Sequence, residues 1–240
     1  MPDAMDEQLQ ELQSRVLRAV AGLGKHPFAL AGGTALERYY FHHRFSRDLD
    51  FFSPRFDRNE IKRIVAGISA EIGLPIAPDT EFSTPEHARV ARFITRAGKL
   101  DRPLRMDFVE DVICDCPRTR IIHGVPVYEA EEIYHHKINA VAGTRGETDA
   151  TGREMPSGRN APRDAVDIFY LSRGVKPLHM FLGNLPRTAQ RMFVRWAQTY
   201  SRMDMKLGVL ELDIYDRSFD VRDMIQQIDH EVEGFVRGVV

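Results

Sequence analysis

Two periods alternate along the first third of the chain. Leu9, Leu12, Val16, Val20 and Leu23 recur at helical spacing and predict a helix over residues 8–23. Pro27 then opens an unbroken apolar run, residues 28–31, that reads as a short buried strand. Gly32 and Gly33 break it, and residues 34–43 return to helical character. Residues 48–53 alternate and predict a second strand. Residues 59–72 carry the stripe Ile61, Ile64, Val65, Ile68 and stop at Gly73, as a helix does. Residues 87–95 and 103–110 read as antiparallel strands around a turn containing Gly98 and Asp101. Residues 130–142 read as a helix. Residues 143–162 are rich in Gly, Thr, Ser and Pro and predict a long loop or junction. Beyond them the pattern is helical over 163–173, 177–185, 188–202 and 221–237. This order predicts an α/β (α+β) protein with a mixed sheet in residues 1–142, a junction at 143–162, and a C-terminal helical part in 163–240.

Composition narrows the class without naming a function. A chain of 240 residues buries roughly 70–75% of its unfolded surface and needs no disulfide or structural metal to hold a core. Its 43% apolar and 28% charged residues are ordinary for a globular protein. No apolar run approaches the roughly 20 residues that span a bilayer, so no membrane partner is expected. The opening MPDAMDEQLQELQ is acidic and polar, unlike a secretory signal. Cys114 and Cys116 are too close for an ordinary disulfide loop and lack the partners of a zinc site. They read as reduced thiols, which points to the cytoplasm. A net charge of −2 argues against a basic nucleic-acid coat but leaves room for a local basic groove.

The segment AGGTALERYYFHHRFSRDLDFF, residues 31–52, concentrates the candidate chemistry. Alternation places Asp48, Asp50 and Phe52 on one side of the second strand, with Leu49 and Phe51 on the other. Two like charges about 7 Å apart repel by about 2–3 kcal/mol at an effective dielectric of about 20. A divalent cation turns that repulsion into attraction, and hard oxygen ligands suit Mg²⁺, which takes one or two carboxylates plus substrate phosphates. A strand–Gly-Gly–helix junction presents backbone N–H groups to a phosphate and lets it approach the main chain closely. Thr34 can add a hydroxyl donor or cap the helix. No lysine follows the glycines, so this is not a P-loop. Each feature alone has a bland reading, a common turn and a pair of solvated acids. Together, in this order, they favour a functional one. Asp107 alternates with Leu104, Met106 and Phe108, and would complete a three-carboxylate cluster if its strand lay beside residues 48–53. Two metals in such a cluster clamp the attacking and leaving oxygens of an in-line displacement. Taken alone, Asp107 is a solvent-facing aspartate on a half-exposed strand.

Gly32-Gly33-Thr34, Asp48-Leu49-Asp50 and Asp107 resemble the DNA polymerase β-type nucleotidyltransferases. More closely, GGTAL followed by RFSRDLDFF resembles the AbiEii/AbiGii toxin family, the nucleotidyltransferase toxins of bacterial toxin–antitoxin and abortive-infection systems. Two further motifs fit that family: Glu132-Ile133 leading to Lys137 and Ala140, and Arg159-x-x-x-Arg163-Asp164-x-x-Asp167, with Arg163 where the family has lysine. The resemblance covers residues 28–170. It implies a polymerase β-like nucleotidyltransferase core and transfer of a nucleoside monophosphate from an NTP to an acceptor hydroxyl, with release of pyrophosphate. It further implies RNA, above all a tRNA end, as acceptor, leaves open a protein hydroxyl in that place, and implies a separately encoded antitoxin as partner. Asp48, Asp50 and Asp107 would hold two Mg²⁺ ions, or Asp107 would activate the acceptor hydroxyl. Gly32, Gly33, Thr34 and Lys137 would grip the triphosphate. Ser46 would shape the loop before the strand, and Ser46, Arg159 and Arg163 join the nucleotide-binding set. Lys137, Asp164 and Asp167 join the catalytic set.

The distal motifs also have a reading of their own. Lys137 shares a helical stripe with Ile133, Ala140 and Val141, so it must snorkel or find an anion. A triphosphate is one such anion, and a place at the helix border is the bland alternative. Pro162 suits a first helical position, which puts Asp164 in the first turn, where an acid stabilises the helix dipole. Asp167, one turn on, can orient Lys137 or Arg163 or act as a base. Arg163 stays protonated, which weakens proton transfer at that position. His42-His43 and His135-His136 lack the i, i+4 spacing of a helical metal site and read as surface histidines. Arg38, His42, His43, Arg44 and Arg47 form a candidate patch for an RNA backbone, or solvated charge that balances Asp48 and Asp50. Trp196, Met192 and Phe193 read as helical core. Two rival functions remain in view. A small-molecule nucleotidyltransferase of the antibiotic-modifying kind predicts a closed acidic pocket beside Asp50. A degenerate, non-catalytic binding module predicts that Asp50→Asn changes nothing.

Overall fold

The computed structural model describes residues 4–82, 88–98, 102–143, 146–148, 154–156 and 158–239. His87, Asp101 and part of the 143–162 junction lie outside the described residues. The chain forms two compact units: Met1–Tyr40 with Ser46–Glu132, and Phe41–Phe45 with Ile133–Val240. The division therefore falls ahead of the junction expected at 143–162, and a five-residue segment beside the Asp-Leu-Asp motif belongs to the second unit. No helix among the described residues is long and apolar enough to cross a membrane.

In the first unit, helix α1 (Ala4–Gly22) buries Leu9, Leu12, Val16 and Val20, the stripe read from the sequence. Strand β1 (Ala29–Ala31) leads into helix α2 (Gly32–Leu36), which widens to a π-helical turn over Glu37–Phe41. Strand β2 (Leu49–Ser53) follows, then helix α3 (Arg58–Ile72). Asp57 caps α3 by accepting from the Asn59 and Glu60 amides, and the helix ends at Gly73. Strands β3 (Ile76–Phe82), β4 (Val90–Thr95), β5 (Leu104–Glu110), β6 (Thr119–Ile122) and β7 (Val125–Tyr128) complete the unit. They form one seven-stranded mixed sheet in the order β3-β4-β5-β2-β1-β7-β6. One face is apolar: Leu49 and Phe51 on β2 and Leu104, Met106 and Phe108 on β5 are buried, with Phe51 and Phe108 stacked at 5.3 Å. Helix α1 meets β5, β7 and α3, and α3 meets β3. The opposite face of β2 and β5 carries the half-buried aspartates.

Three strands of the first unit escape the sequence reading. β3 is an exposed edge strand interrupted by Pro78, with no alternation to detect. β6 and β7 form a hairpin across His123 and Gly124, both at positive φ (49° and 83°). That is the backbone of a two-residue primed turn.

The second unit is helical apart from the small hairpin β8 (Gly146–Thr148) and β9 (Glu154–Pro156). Helix α4 (Ala130–Ala142) contributes Ile133, Tyr134, Ile138 and Val141 to its core. Helices α5 (Pro162–Gly174), α6 (Leu178–Leu182), α7 (Arg187–Thr199) and α8 (Arg202–Val209) each contact α9 (Val221–Val239). Tyr134 stacks on Phe181 at 3.9 Å. Met192, Phe193 and Trp196 are buried, as expected of core, and the Trp196 indole N–H donates to Asn160 Oδ1 at 3.0 Å.

Candidate active site

Strand pairing brings the acidic residues of the first unit together. β2 and β5 run parallel in a register that sets Asp50 opposite Asp107 and Phe51 opposite Phe108. Adjacent strands lie about 4.8 Å apart, so the two side chains are nearest neighbours on one face. Asp48 directly precedes β2, continues its alternation and is likewise half-buried. The condition set by the sequence, that the strand of Asp107 lie beside residues 48–53, is met through a contact between residues far apart in the chain.

β4 pairs antiparallel with β5 and places Arg92 opposite Asp107. The guanidinium donates from Nε to Oδ1 at 2.8 Å and from Nη2 to Oδ2 at 2.7 Å, a bidentate fork. Asp107, hydrogen-bonded and charged, raises the affinity of Arg92 for its proton further still. Arg105, two residues before Asp107, reaches Asp48 only loosely, at 3.9 Å, and its side chain is about half exposed. The face thus combines three carboxylates with one tight and one loose arginine.

The glycine bend sits against the same acids. β1 pairs antiparallel with β2, with Ala31 opposite Asp50. Gly32 has φ +67°, and a Cβ there would lie 2.5 Å from Asp50 Oδ2. Only glycine supplies both that backbone angle and that space. Thr34 is buried, and its hydroxyl donates to the Asp48 carbonyl, not to the helix cap. It ties the start of α2 to the start of β2. Ser46 is held by its backbone: its amide donates to Glu37 Oε2 at 2.9 Å, and its carbonyl accepts from Gln13 Nε2 at 2.8 Å. Hard oxygen donors converge on one face, beside a bend where a side chain would take up the space. That donor set fits Mg²⁺ held by Asp48, Asp50 and Asp107.

The distal motifs meet inside the second unit. Asp164 and Asp167 are fully buried on α5. The Lys137 ammonium, also buried, donates to Asp164 Oδ1 at 2.8 Å and bridges to Asp167 Oδ2 at 2.7 Å. Arg159 donates to Asp164 from Nε at 2.6 Å and Nη2 at 3.0 Å. Asp167 also takes the fork of Arg44, at 2.8 and 2.7 Å, and lies 2.8 Å from His43 Nε2. Burial pushes both carboxyls up, but the cations outweigh it. Lys137 and Arg159 hold Asp164 below the usual range, and Arg44 and Lys137 hold Asp167 well below it. Burial pulls His43 down, against the opposing pull of Asp167.

Several expectations change here. A carboxylate held by the Arg44 fork beside Lys137 and His43, with a depressed pKa, is a poor proton acceptor, so the base role considered for Asp167 is at odds with its setting. Asp167 does orient Lys137, but its other partners are Arg44 and His43; Arg163 is exposed. Asp164 lies in the first turn of α5, as read, yet it is buried against two cations and does more than stabilise the helix dipole. His43 and His136 are buried, not surface residues. The supposed basic patch is dispersed. Arg38 is spent on Ser14, Gln10 and Gln13 of α1, Arg47 pairs with Asp6 at 3.3 Å, and Arg44 is buried. His42 stacks on Tyr215 at 4.6 Å. Cys114 and Cys116 form no disulfide, and burial beside Asp111 and Glu132 pushes Cys114 up to about 12.

The residues that the sequence passed over are Arg92 and Arg105, while His43 was read as a surface residue. Arg92 and Arg105 sit at alternating positions on the strand faces that carry the acids, and that was the available signal. A mixed sheet with a glycine bend beside paired strand aspartates is the architecture of a polymerase β-like nucleotidyltransferase. Two solved structures share the fold. One is a Helicobacter pylori protein provisionally described as a nucleotidyltransferase, 17% identical, covering 99% of this chain and 97% of its own, with a TM-score of 0.60. The other is JHP933 from Helicobacter pylori, 16% identical, covering 100% and 97%, with a TM-score of 0.61. No curated protein matches the chain. The family model of the nucleotidyl transferase AbiEii toxin of type IV toxin–antitoxin systems matches residues 15–234. The chain belongs to the AbiEii nucleotidyltransferase toxin family. The match extends past residue 170, so the C-terminal helices, in which no motif was legible, are part of what the family shares.

Proposed function

We propose that this protein transfers a nucleoside monophosphate from an NTP to a hydroxyl of RNA, with tRNA as the favoured acceptor, and acts as the toxin of a two-component system with its own antitoxin. The observation that carries the reading is the register of Asp50 against Asp107, with Asp48 and the Gly32 bend on the same face. Asp48 and Asp50 hold Mg²⁺, which supplies charge neutralisation at the phosphates. Asp107 shares the second ion or accepts the proton of the attacking hydroxyl. The acceptor oxygen forms a bond to the α-phosphorus as the α–β bridging bond breaks, and pyrophosphate leaves with the electron pair. The amides of Gly32 and Gly33 line the triphosphate, and Thr34 and Ser46 hold the surrounding backbone in place. Catalysis is then positioning and charge neutralisation, as in phosphoryl transfer generally.

Lys137 is a proposed nucleotide contact on the family resemblance alone; its ammonium donates to Asp164 and pairs with Asp167. Arg159 and Arg163, half exposed and exposed, are the other candidates for a nucleotide phosphate. The RNA acceptor rests on the family resemblance, since Arg92 and Arg105 pair with Asp107 and Asp48 and give this face no excess of positive charge. The test is incubation of the protein with each labelled NTP, Mg²⁺ and total RNA. Label is expected in a discrete RNA species and is expected to vanish with Asp50→Asn. Label that persists in Asp50→Asn, or that never reaches RNA, overturns the reading.

A further inference from the structure

Cross-strand register sorts the side chains of the carboxylate face into rows. One row crosses the sheet as Thr80, Arg92, Asp107, Asp50 and Ala31. Two residues further along β2, on the same face, the next row is Phe82, Val90, Val109, Phe52 and Ala29. This second row carries no charge. Phe82 is 45% exposed, Val90, Val109 and Phe52 are half-buried, and Ala29 is buried. From Phe52 to Phe82 the row spans three strand spacings, about 14 Å. Buried Tyr128 backs the Phe52 ring at 6.2 Å, and its own hydroxyl donates to Asp111 Oδ2 at 3.0 Å. A contiguous apolar strip left at the surface, beside a row of acids, marks a place for a ligand or partner.

The strip lies on a defined side of the acids. β1 runs antiparallel to β2, with Ala29 opposite Phe52 and Ala31 opposite Asp50, so the chain reaches Gly32 only after passing Asp50. The glycine bend and the apolar row therefore lie on opposite sides of the acids. In an in-line displacement the leaving and attacking oxygens also lie on opposite sides of the phosphorus. With the triphosphate at the glycine bend, the attacking hydroxyl comes from the side of Phe52 and Val109.

We infer that the row Phe82, Val90, Val109 and Phe52 is the acceptor platform, on which the unpaired bases next to the attacked hydroxyl of an RNA end are laid. This rests on the reading of Asp48, Asp50 and Asp107 as the catalytic acids and of RNA as the acceptor. The chemistry of the row selects bases over backbone: it offers no cation to a phosphate, and its two phenylalanines offer ring faces to bases. Only unpaired bases expose their faces for stacking, so the platform admits a single-stranded end and not a duplex. Stacking tolerates any base, so Phe52 and Phe82 hold the end in place without reading its sequence.

Steady-state transfer from a labelled NTP to total tRNA, with Mg²⁺ and the full chain, tests this when acceptor and NTP are varied separately. Phe52→Leu keeps an apolar side chain beside Tyr128 but removes the ring, and Phe82→Ala changes an exposed position on the edge strand. Each is expected to raise the acceptor KM about tenfold, the order of one lost base–aromatic contact, while the NTP KM stays as in the wild type and kcat is largely retained. Annealing an oligonucleotide that pairs the acceptor end to its last base is expected to abolish labelling. An unchanged acceptor KM in both variants, or a rise confined to the NTP KM, overturns the platform and leaves the transfer reading intact. So does equal labelling of paired and unpaired ends. A wild type that labels no RNA, or labels protein in its place, or an Asp50→Asn protein that labels RNA as the wild type does, overturns the transfer reading and the platform with it. Circular dichroism of each variant reports folding independently of activity.

Discussion

Two aspartate clusters, one in each unit, are built from the same residue types to opposite ends. In the second unit, Asp164 and Asp167 are fully buried, and Lys137, Arg159, Arg44 and His43 close around them. In the first unit, Asp48, Asp50 and Asp107 are half-buried on an open strand face, and the arginine contacts on Asp48 and Asp107 are unequal. Desolvating a carboxylate is unfavourable enough that a buried one must have its partners supplied by the protein. A half-exposed set has no such requirement and keeps capacity for a ligand. Burial and saturation, more than residue identity, separate the acids that hold the fold from those proposed to serve the chemistry. The buried cluster has its own task. His43 and Arg44 lie in the five-residue segment between the glycine bend and Asp48, so Asp167 anchors the loop that joins the two halves of the first motif.

Substitution at each cluster breaks the comparison or sharpens it. Asp50→Asn is expected to lower nucleotidyl transfer by at least about 10³-fold, because the metal loses a ligand where charge must be neutralised. Its unfolding midpoint should stay close to that of the wild type, since Asp50 is half-buried and not enclosed as Asp167 is. Asp167→Asn should do the reverse to the fold. It leaves Lys137, Arg44 and His43 around a neutral group, and breaking a buried ion pair on one side costs about 3–5 kcal/mol. For a chain of this size that is a fall in Tm of roughly 10 °C. Calorimetry on both variants decides the matter: equal stabilities would mean that the clusters do not differ as described.

Gly32→Ala comes next in size. The added Cβ meets Asp50 Oδ2 at 2.5 Å on a backbone at φ +67°, so the variant must move the carboxylate or the bend. A loss of about 1–3 kcal/mol in stability is expected. Mn²⁺ affinity should fall with it, because Asp50 is the displaced group. A Gly32→Ala protein with unchanged metal affinity would detach the bend from the metal site.

Much of this was legible, and the limits have physical causes. The helices at residues 4–22 and 58–72, the Gly-Gly break and the Asp-Leu-Asp alternation are local patterns, so the sequence displays them. That Asp107 faces Asp50 was legible only as a condition, because parallel register between residues 57 positions apart is set by the whole sheet (107 − 50). His43 gave no signal of burial, since its partner Asp167 is 124 positions away and adjacent histidines have no helical period. Arg92 reads as a solvent-side residue of a strand until β4 is laid against β5. The β6–β7 hairpin was hidden by Pro126, which reads as a strand breaker, and by a turn whose first residue is histidine. Local period finds elements. Partners across the sheet, or between motifs, need the fold.

The smallest expected effect is a pH dependence, and it distinguishes the groups within the buried cluster. Burial lowers His43 from the ordinary value of 6.5, with Asp167 pulling the other way. Below about pH 6.5 the unfolded chain binds a proton at this position that the folded chain refuses, so folding stability falls as the pH drops toward the depressed folded value. Asp164 and Asp167 are also depressed, but their contribution is complete above the ordinary carboxylate range and is lost only as the pH falls through their folded values. Between pH 7.5 and pH 5 the two carboxylates are therefore silent and histidine sets the slope. Urea midpoints of wild type and His43→Gln across that interval should show a decline in the wild type, smaller than the loss expected for Asp167→Asn, and a flatter line in the variant. His26 is lowered by burial in the same direction, so the variant's line should keep a residual slope. Parallel lines for the two proteins would mean that His43 takes up its proton equally well in the folded and the unfolded chain, and a wild type that gains stability over the variant toward pH 5 would mean that His43 is protonated in the fold as a third cation beside Asp167.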